Sequence, residues 1–120
     1  MSVYGKIWGT TELLLKTPFI ELHRLAILPN RRCSLHLHRW KWNLFLVLEG
    51  SLTIEVHKSD YDLVDSTIIG PGQITTVRPG EKHRFVTGAE AVKAIEVYYP
   101  ESLSEDIVRM DVGGLVEDVK

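Results

Sequence analysis

The sequence predicts an all-β domain, closed or sandwiched, and three observations carry that expectation. Short runs of branched and aromatic residues recur along the 120 residues, about eight of them, with turn residues every several positions. The run 51–57 alternates cleanly, with Leu52, Ile54 and Val56 on one face and Thr53, Glu55 and His57 on the other, as a half-exposed antiparallel strand does. Only 102–109 has a helical look, with Ser104 placed to cap it ahead of Glu105 and Asp106.

Taken in order, residues 8–16 are mixed, with Leu13, Leu14 and Leu15 expected to pack against the sheet, and Thr17-Pro18 breaks the run. Residues 19–28 alternate imperfectly and predict a strand that stops at the turn signal Pro29-Asn30. His23 falls inside it and reads as a partly buried or surface histidine. Residues 43–48 form an apolar run of strand length closed by Gly50, with Asn43, Phe45 and Val47 on one face and Leu44, Leu46 and Leu48 on the other. After 51–57, whose His57 is expected to face solvent, a polar turn over 58–62 leads to a strand at 63–69 and the sharp turn Gly70-Pro71-Gly72. Residues 74–77, 83–86 and 91–99 supply three more strands, with Pro79-Gly80 as a turn and 113–120 as a frayed tail. A jelly roll fits this spacing of strands, and no solenoid repeat or low-complexity segment competes with it.

Length and composition agree. The chain has a one-domain length and an ordinary globular balance of 44% hydrophobic and 25% charged residues. A net charge of −2 gives no general attraction to a phosphate backbone, so no nucleic-acid partner is expected. Cys33 is the only cysteine, which rules out an intramolecular disulfide, suits a reducing cytoplasm and reads as a small buried hydrophobe. The opening MSVYGKIWG lacks the apolar core of a signal peptide, and no window approaches the roughly 18 apolar residues of a membrane span, so a soluble, unexported protein with no membrane partner is expected.

The chemistry centres on residues 34–50, SLHLHRWKWNLFLVLEG. His36 and His38 are two apart, and in an extended strand residues i and i+2 project to the same face, so both imidazoles point into one space that a metal ion could share. Hydrogen-bonded core histidines are the alternative, but two imidazoles on an interior face are costly unless something satisfies them.

His-x-His, four residues, Asn43, six residues, Gly50 resembles the first motif of the cupin superfamily, which carries glutamate where this chain has Asn43. Pro79-Gly80-Glu81-Lys82-His83 resembles the second motif, and that likeness implies His83 as a further ligand. Within cupins the chain is most similar to the domain of type II mannose-6-phosphate isomerases, often fused to mannose-1-phosphate guanylyltransferases. Trp8-Gly9-Thr10-Thr11-Glu12, Ser34-Leu35-His36-Leu37-His38, Ile95-Glu96-Val97 and Glu105-Asp106-Ile107-Val108-Arg109 carry the likeness, which spans about residues 6–112. It implies a single cupin domain over 1–120, a double-stranded β-helix or jelly-roll barrel with a short C-terminal helical segment.

The resemblance further implies one divalent metal ion, zinc, iron, manganese or nickel, on His36, His38 and His83, with Asn43 as a weaker ligand or a donor to metal-bound water. A divalent ion on neutral imidazoles keeps its full charge, which favours Lewis-acid chemistry while weakening retention of the ion. The implied activity is isomerisation of a sugar phosphate, mannose 6-phosphate to fructose 6-phosphate. Arg32, Arg84 and Arg109 are candidates for the phosphate, against the alternative of solvated or structural arginines. Glu96 is a candidate base or a partner to the metal ligands, against a buried carboxylate paired with an arginine. Two other readings stand beside it: a non-catalytic sugar or small-ligand binding module, and an iron dioxygenase using three histidines. A homodimer is expected from the outer face Leu44, Leu46 and Leu48 and the aromatics Trp8, Tyr98 and Tyr99.

Overall fold

The computed structural model describes residues 3–58, 63–100, 108, 110 and 112–116. Among them the chain forms nine strands: β1 (Val3–Lys6), β2 (Gly9–Lys16), β3 (Glu21–Ile27), β4 (Lys41–Glu49), β5 (Leu52–Lys58), β6 (Leu63–Ile69), β7 (Ile74–Val77), β8 (Lys82–Thr87) and β9 (Val92–Pro100). All pairings between them are antiparallel, in a six-stranded sheet ordered β1-β2-β3-β9-β4-β7 and a three-stranded sheet ordered β6-β5-β8. Every strand expected from the sequence is present within a few residues, the mixed stretch 8–16 forms β2, and β1 is an addition. The helix expected over 102–109 falls almost wholly outside the described residues.

Alternation in the sequence becomes the two faces of each strand. On β4, Asn43, Phe45 and Val47 are fully buried while Leu48 is exposed, and on β5 Leu52 and Ile54 point into the same interior. Leu25 and Ile27 of β3, Phe85 of β8 and Val92 and Ala94 of β9 meet them, so the core lies between the two sheets. Removing side chains of this size from water contributes about 1.5–3 kcal/mol each. Trp8 packs edge-on against Phe85, with ring centroids 4.9 Å apart, and therefore seals the core instead of standing on the outer face. Leu15, expected to pack, is exposed, because a register shift between Leu13 and Leu15 turns it outward.

The glycine that closes β4 is required by the turn: Gly50 has φ +86°, and a Cβ there would lie 2.5 Å from the Ala91 carbonyl oxygen. Near this turn the pairing of β4 with β9 shifts register between Val47 and Glu49, and farther along β9 the polar residues Glu96 and Tyr98 line a cavity.

Candidate metal centre

The two histidines of the first motif do not lie on one unbroken strand, as the sequence pattern suggested. Residues 31–38 run beside β8 as an irregular segment that touches the sheet at two isolated bridges, Arg32 with Val86 and His36 with His83. Its hydrogen bonds alternate along β8: Thr87 N donates to Arg31 O (2.8 Å), Cys33 N to Phe85 O (3.2 Å) and His36 N to His83 O (3.1 Å), with His83 N returning to His36 O (2.8 Å). Gly80 N then holds His38 O (2.6 Å), as the chain leaves β8 to begin β4. The bridge brings His36 and His83 to face each other, and the anchored His38 carbonyl sets the third ring beside them.

The ligand atoms of His36, His38 and His83 all lie within 4.8 Å of one another. Ring centroids are 5.0 Å apart for His36 and His38, 4.5 Å for His36 and His83, and 5.5 Å for His38 and His83. Carbonyl oxygens fix two of the tautomers, since Nδ1 of His36 donates to Ser34 O (2.8 Å) and Nδ1 of His83 to Glu81 O (2.9 Å). A carbonyl only accepts, so both Nε2 lone pairs are left bare. Asn43, buried on β4, donates from Nδ2 to Glu96 Oε2 (3.3 Å) and thereby turns Oδ1 towards His83 Nε2 at 3.2 Å. Two lone pairs face each other there, an arrangement that calls for a cation between acceptors. His38 Nε2 is buried with no partner among the described residues, and an orphaned imidazole nitrogen in this place calls for the same occupant.

Burial, with the neighbouring His36, Lys41 and His83 charges, pulls His38 down to about 4, and burial likewise lowers His83. Both rings are therefore neutral near pH 7, the form that ligates. The donor set fits one divalent ion on three imidazoles, with Asn43 Oδ1 as a neutral oxygen beside them.

Beyond the histidines lies a cavity of roughly 520 Å³, lined among others by Trp8, Cys33, His36, Phe85, Glu96 and Tyr98. Glu96 projects from β9 and is 8% exposed; burial raises its carboxyl above the ordinary range, against hydrogen bonds from Tyr98 and Asn43 that lower it. Burial pushes the Tyr98 hydroxyl upward as well, and the Cys33 thiol up to about 11, so both keep their protons. The Tyr98 ring stands between the His38 ring (5.0 Å) and the His23 ring (5.8 Å).

Two of the three candidate arginines, Arg84 and Arg32, are placed elsewhere. Arg84 follows His83 on β8 and so takes the opposite face, where Nε bonds Glu55 Oε1 at 2.8 Å; that hydrogen bond holds the Glu55 carboxyl below its ordinary value, against burial, which raises it. Arg32 is exposed and pairs across with Val86, and Arg109 is outside the described residues. Lys6 and Lys41 are the cations that line the cavity, with Lys41 Nζ 4.0 Å above the Tyr98 ring.

A pair that the sequence reading passed over also lines the cavity: His23 Nε2 bonds Glu21 Oε1 at 2.9 Å, on the inward face of β3. Its signal is a glutamate two residues before a histidine in a strand. The same pattern recurs at Glu55 and His57, where the 3.3 Å pair lies on the outer face of β5, so His57 is half-buried by its neighbours instead of fully solvent-facing.

The sequence of residues 23–98 matches the family described as the cupin domain. No curated protein matches the chain by sequence. Among solved structures it is similar to the cupin domain of Cnp3 from Schizosaccharomyces pombe (13% identity, 84% of this chain and 69% of that one, TM-score 0.71) and to KdgF from Halomonas sp. (13%, 85% and 90%, 0.71). It is also similar to the capsular polysaccharide assembling protein CapF from Staphylococcus aureus (17%, 82% of this chain, TM-score 0.74), of which it spans only 28%. With that family match covering most of the barrel, and antiparallel strands enclosing the histidines of both motifs, the chain belongs to the cupin family.

Proposed function

We propose that the protein is a metal-dependent sugar isomerase, with a sugar phosphate of the mannose 6-phosphate kind as its substrate. The observation that supports this most is the convergence of three bare imidazole nitrogens and Asn43 Oδ1 next to a cavity large enough for a monosaccharide, whose wall includes His36 and the buried carboxyl of Glu96. His36, His38 and His83 would hold the ion, which when bound supplies Lewis-acid polarisation of carbonyl and hydroxyl oxygens.

The chain's own groups do the rest. Glu96, raised by burial, is suited to take a proton from one carbon and return it to the next. Asn43 Nδ2 and the Tyr98 hydroxyl hold that carboxyl in place. With Arg84 committed to Glu55 on the far face, the ammonium groups of Lys6 and Lys41 are the charges available to an anionic substituent. Trp8 and Phe85 close the inner wall against water.

The lack of a cavity arginine among the described residues favours a second reading, a cupin that binds a sugar without converting it. Stripped protein reloaded with zinc, manganese, nickel or iron(II) in turn, and assayed for fructose 6-phosphate formation from mannose 6-phosphate, separates the readings. Turnover with one of these metals, lowered at least about a hundredfold by Glu96→Gln, is expected. Binding without turnover selects the binding module, and oxygen consumption with iron selects a dioxygenase.

A further inference from the structure

The Glu21 and His23 pair is built like a working acid–base dyad. Glu21 Oε1 accepts from His23 Nε2 at 2.9 Å, which places the proton on Nε2 and leaves Nδ1 as the basic nitrogen. The contact of Nδ1 is a long one, 3.4 Å to Thr11 Oγ1, and a hydroxyl entering the cavity can replace it. The imidazole is mostly but not fully covered, with 17% of its side chain exposed, and it lines the cavity that the metal centre borders. Its register partner on β9 is Glu96, and the Tyr98 ring separates it from His38.

We infer that His23, oriented by Glu21, is a second acid–base group of this cavity, meeting a hydroxyl of a bound sugar through Nδ1 and carrying that hydroxyl's proton during isomerisation. The inference rests on the isomerase reading for its catalytic half. An aldose-to-ketose exchange moves one proton from C2 to C1 and another from O2 to O1, while C2 is oxidised and C1 reduced within one molecule. No external oxidant or reductant enters, and two carriers are needed. Glu96 is the carrier suited to the carbon-bound proton; His23 Nδ1 takes the proton leaving O2, shares the added charge with Glu21, and returns it to O1. The titratable and charged groups that face the imidazole or share its cavity are Glu21 on its own strand, Glu96 and Tyr98 on β9, Lys41 on β4, Lys6 at the end of β1, and Cys33 and His36 on the segment 31–38, with the Thr11 hydroxyl on β2.

His23→Gln keeps a hydrogen-bonding partner for Glu21 while removing the basic nitrogen, and His57→Gln is the matched control, since the Glu55 and His57 pair repeats the pattern on the outer face. In metal-loaded protein, His23→Gln is expected to lower kcat about a hundredfold with KM changed less than threefold, and to remove one ionisation from the pH profile of kcat/KM. Metal content and Tm stay at wild-type values, as does every parameter of His57→Gln. Full kcat in His23→Gln, in a wild type that does turn over, overturns the inference and leaves the isomerase reading intact. Absence of turnover by the wild type removes the isomerase reading, and imidazole ¹⁵N shifts on addition of mannose 6-phosphate then decide the remainder. A moved His23 signal keeps it as the residue that meets the ligand hydroxyl, and an unmoved one overturns the inference.

Discussion

Asn43 is the residue on which the site turns. It is fully buried, its Nδ2 holds Glu96 and its Oδ1 faces His83. Asn43→Glu would set a carboxylate against the ion, and we expect divalent-metal affinity to rise tenfold or more, about 1.4 kcal/mol, in a titration of the stripped protein. Without metal the same change puts a second buried carboxyl beside Glu96, so the apo melting temperature should fall. Equal affinity in variant and wild type would place Asn43 outside the ligand set. Protons compete for the same nitrogens. His38 falls from 6.5 to about 4 on folding, so between those values the unfolded chain binds a proton that the folded chain refuses. Metal-free protein should therefore lose stability as pH drops from about 6.5 towards 4 and be insensitive to this group above 6.5; a flat profile of melting temperature over that window contradicts it.

At the scale of the element, the segment 31–38 and β8 act together. Thr87, buried at the end of β8, donates to Leu28 O (2.7 Å) and accepts from Arg31 N (2.9 Å), pinning the start of the segment that carries His36 and His38. Thr87→Val keeps the shape and orphans those groups; a loss of about 1–3 kcal/mol is expected in denaturant unfolding, together with weaker metal retention. An unchanged midpoint would show that the segment is held elsewhere. Alternation along β4, β5 and β8 was legible in the sequence because a sheet with one buried face repeats every two residues. By that rule His83 and Arg84 belong on opposite faces, and the rule outweighs the resemblance that made Arg84 a phosphate ligand; Arg84→Ala should leave KM unchanged. Less legible was the path of 31–38, whose two histidines share a space through a bridge to β8 and not through strand geometry. His23 was read only as a partly buried or surface histidine, because Glu21, two residues before it on the same expected strand, was not weighed as its partner.

For the molecule as a whole, the barrel was readable and its surroundings were not. Seven of the nine strands follow from local pattern and turn chemistry, β2 lies in the stretch 8–16 that reads as mixed, and β1 carries too little alternation in four residues to announce itself. The homodimer expected from the face Leu44, Leu46 and Leu48 and from Trp8, Tyr98 and Tyr99 now rests partly on other residues, because Trp8 seals the core, Tyr98 stands in the cavity, and of the three leucines only Leu48 is exposed. Leu63, Val64 and Ile68 on the edge strand β6, with Ile74 on β7, remain exposed, and edge strands of this kind favour pairing. A dimer mass by light scattering at micromolar concentration is the expected outcome, and a monomer mass ends that proposal. The claim that organises all of this is that one ion sits on three histidines contributed by two distant parts of the chain. Elemental analysis of protein purified without added metal, beside His36→Ala, His38→Ala, His83→Ala and the control His57→Ala, tests it directly. We predict one divalent ion per chain in the wild type and the control and none in the three site variants; equal metal in all five proteins, or none in the wild type after exposure to each candidate ion, would contradict it.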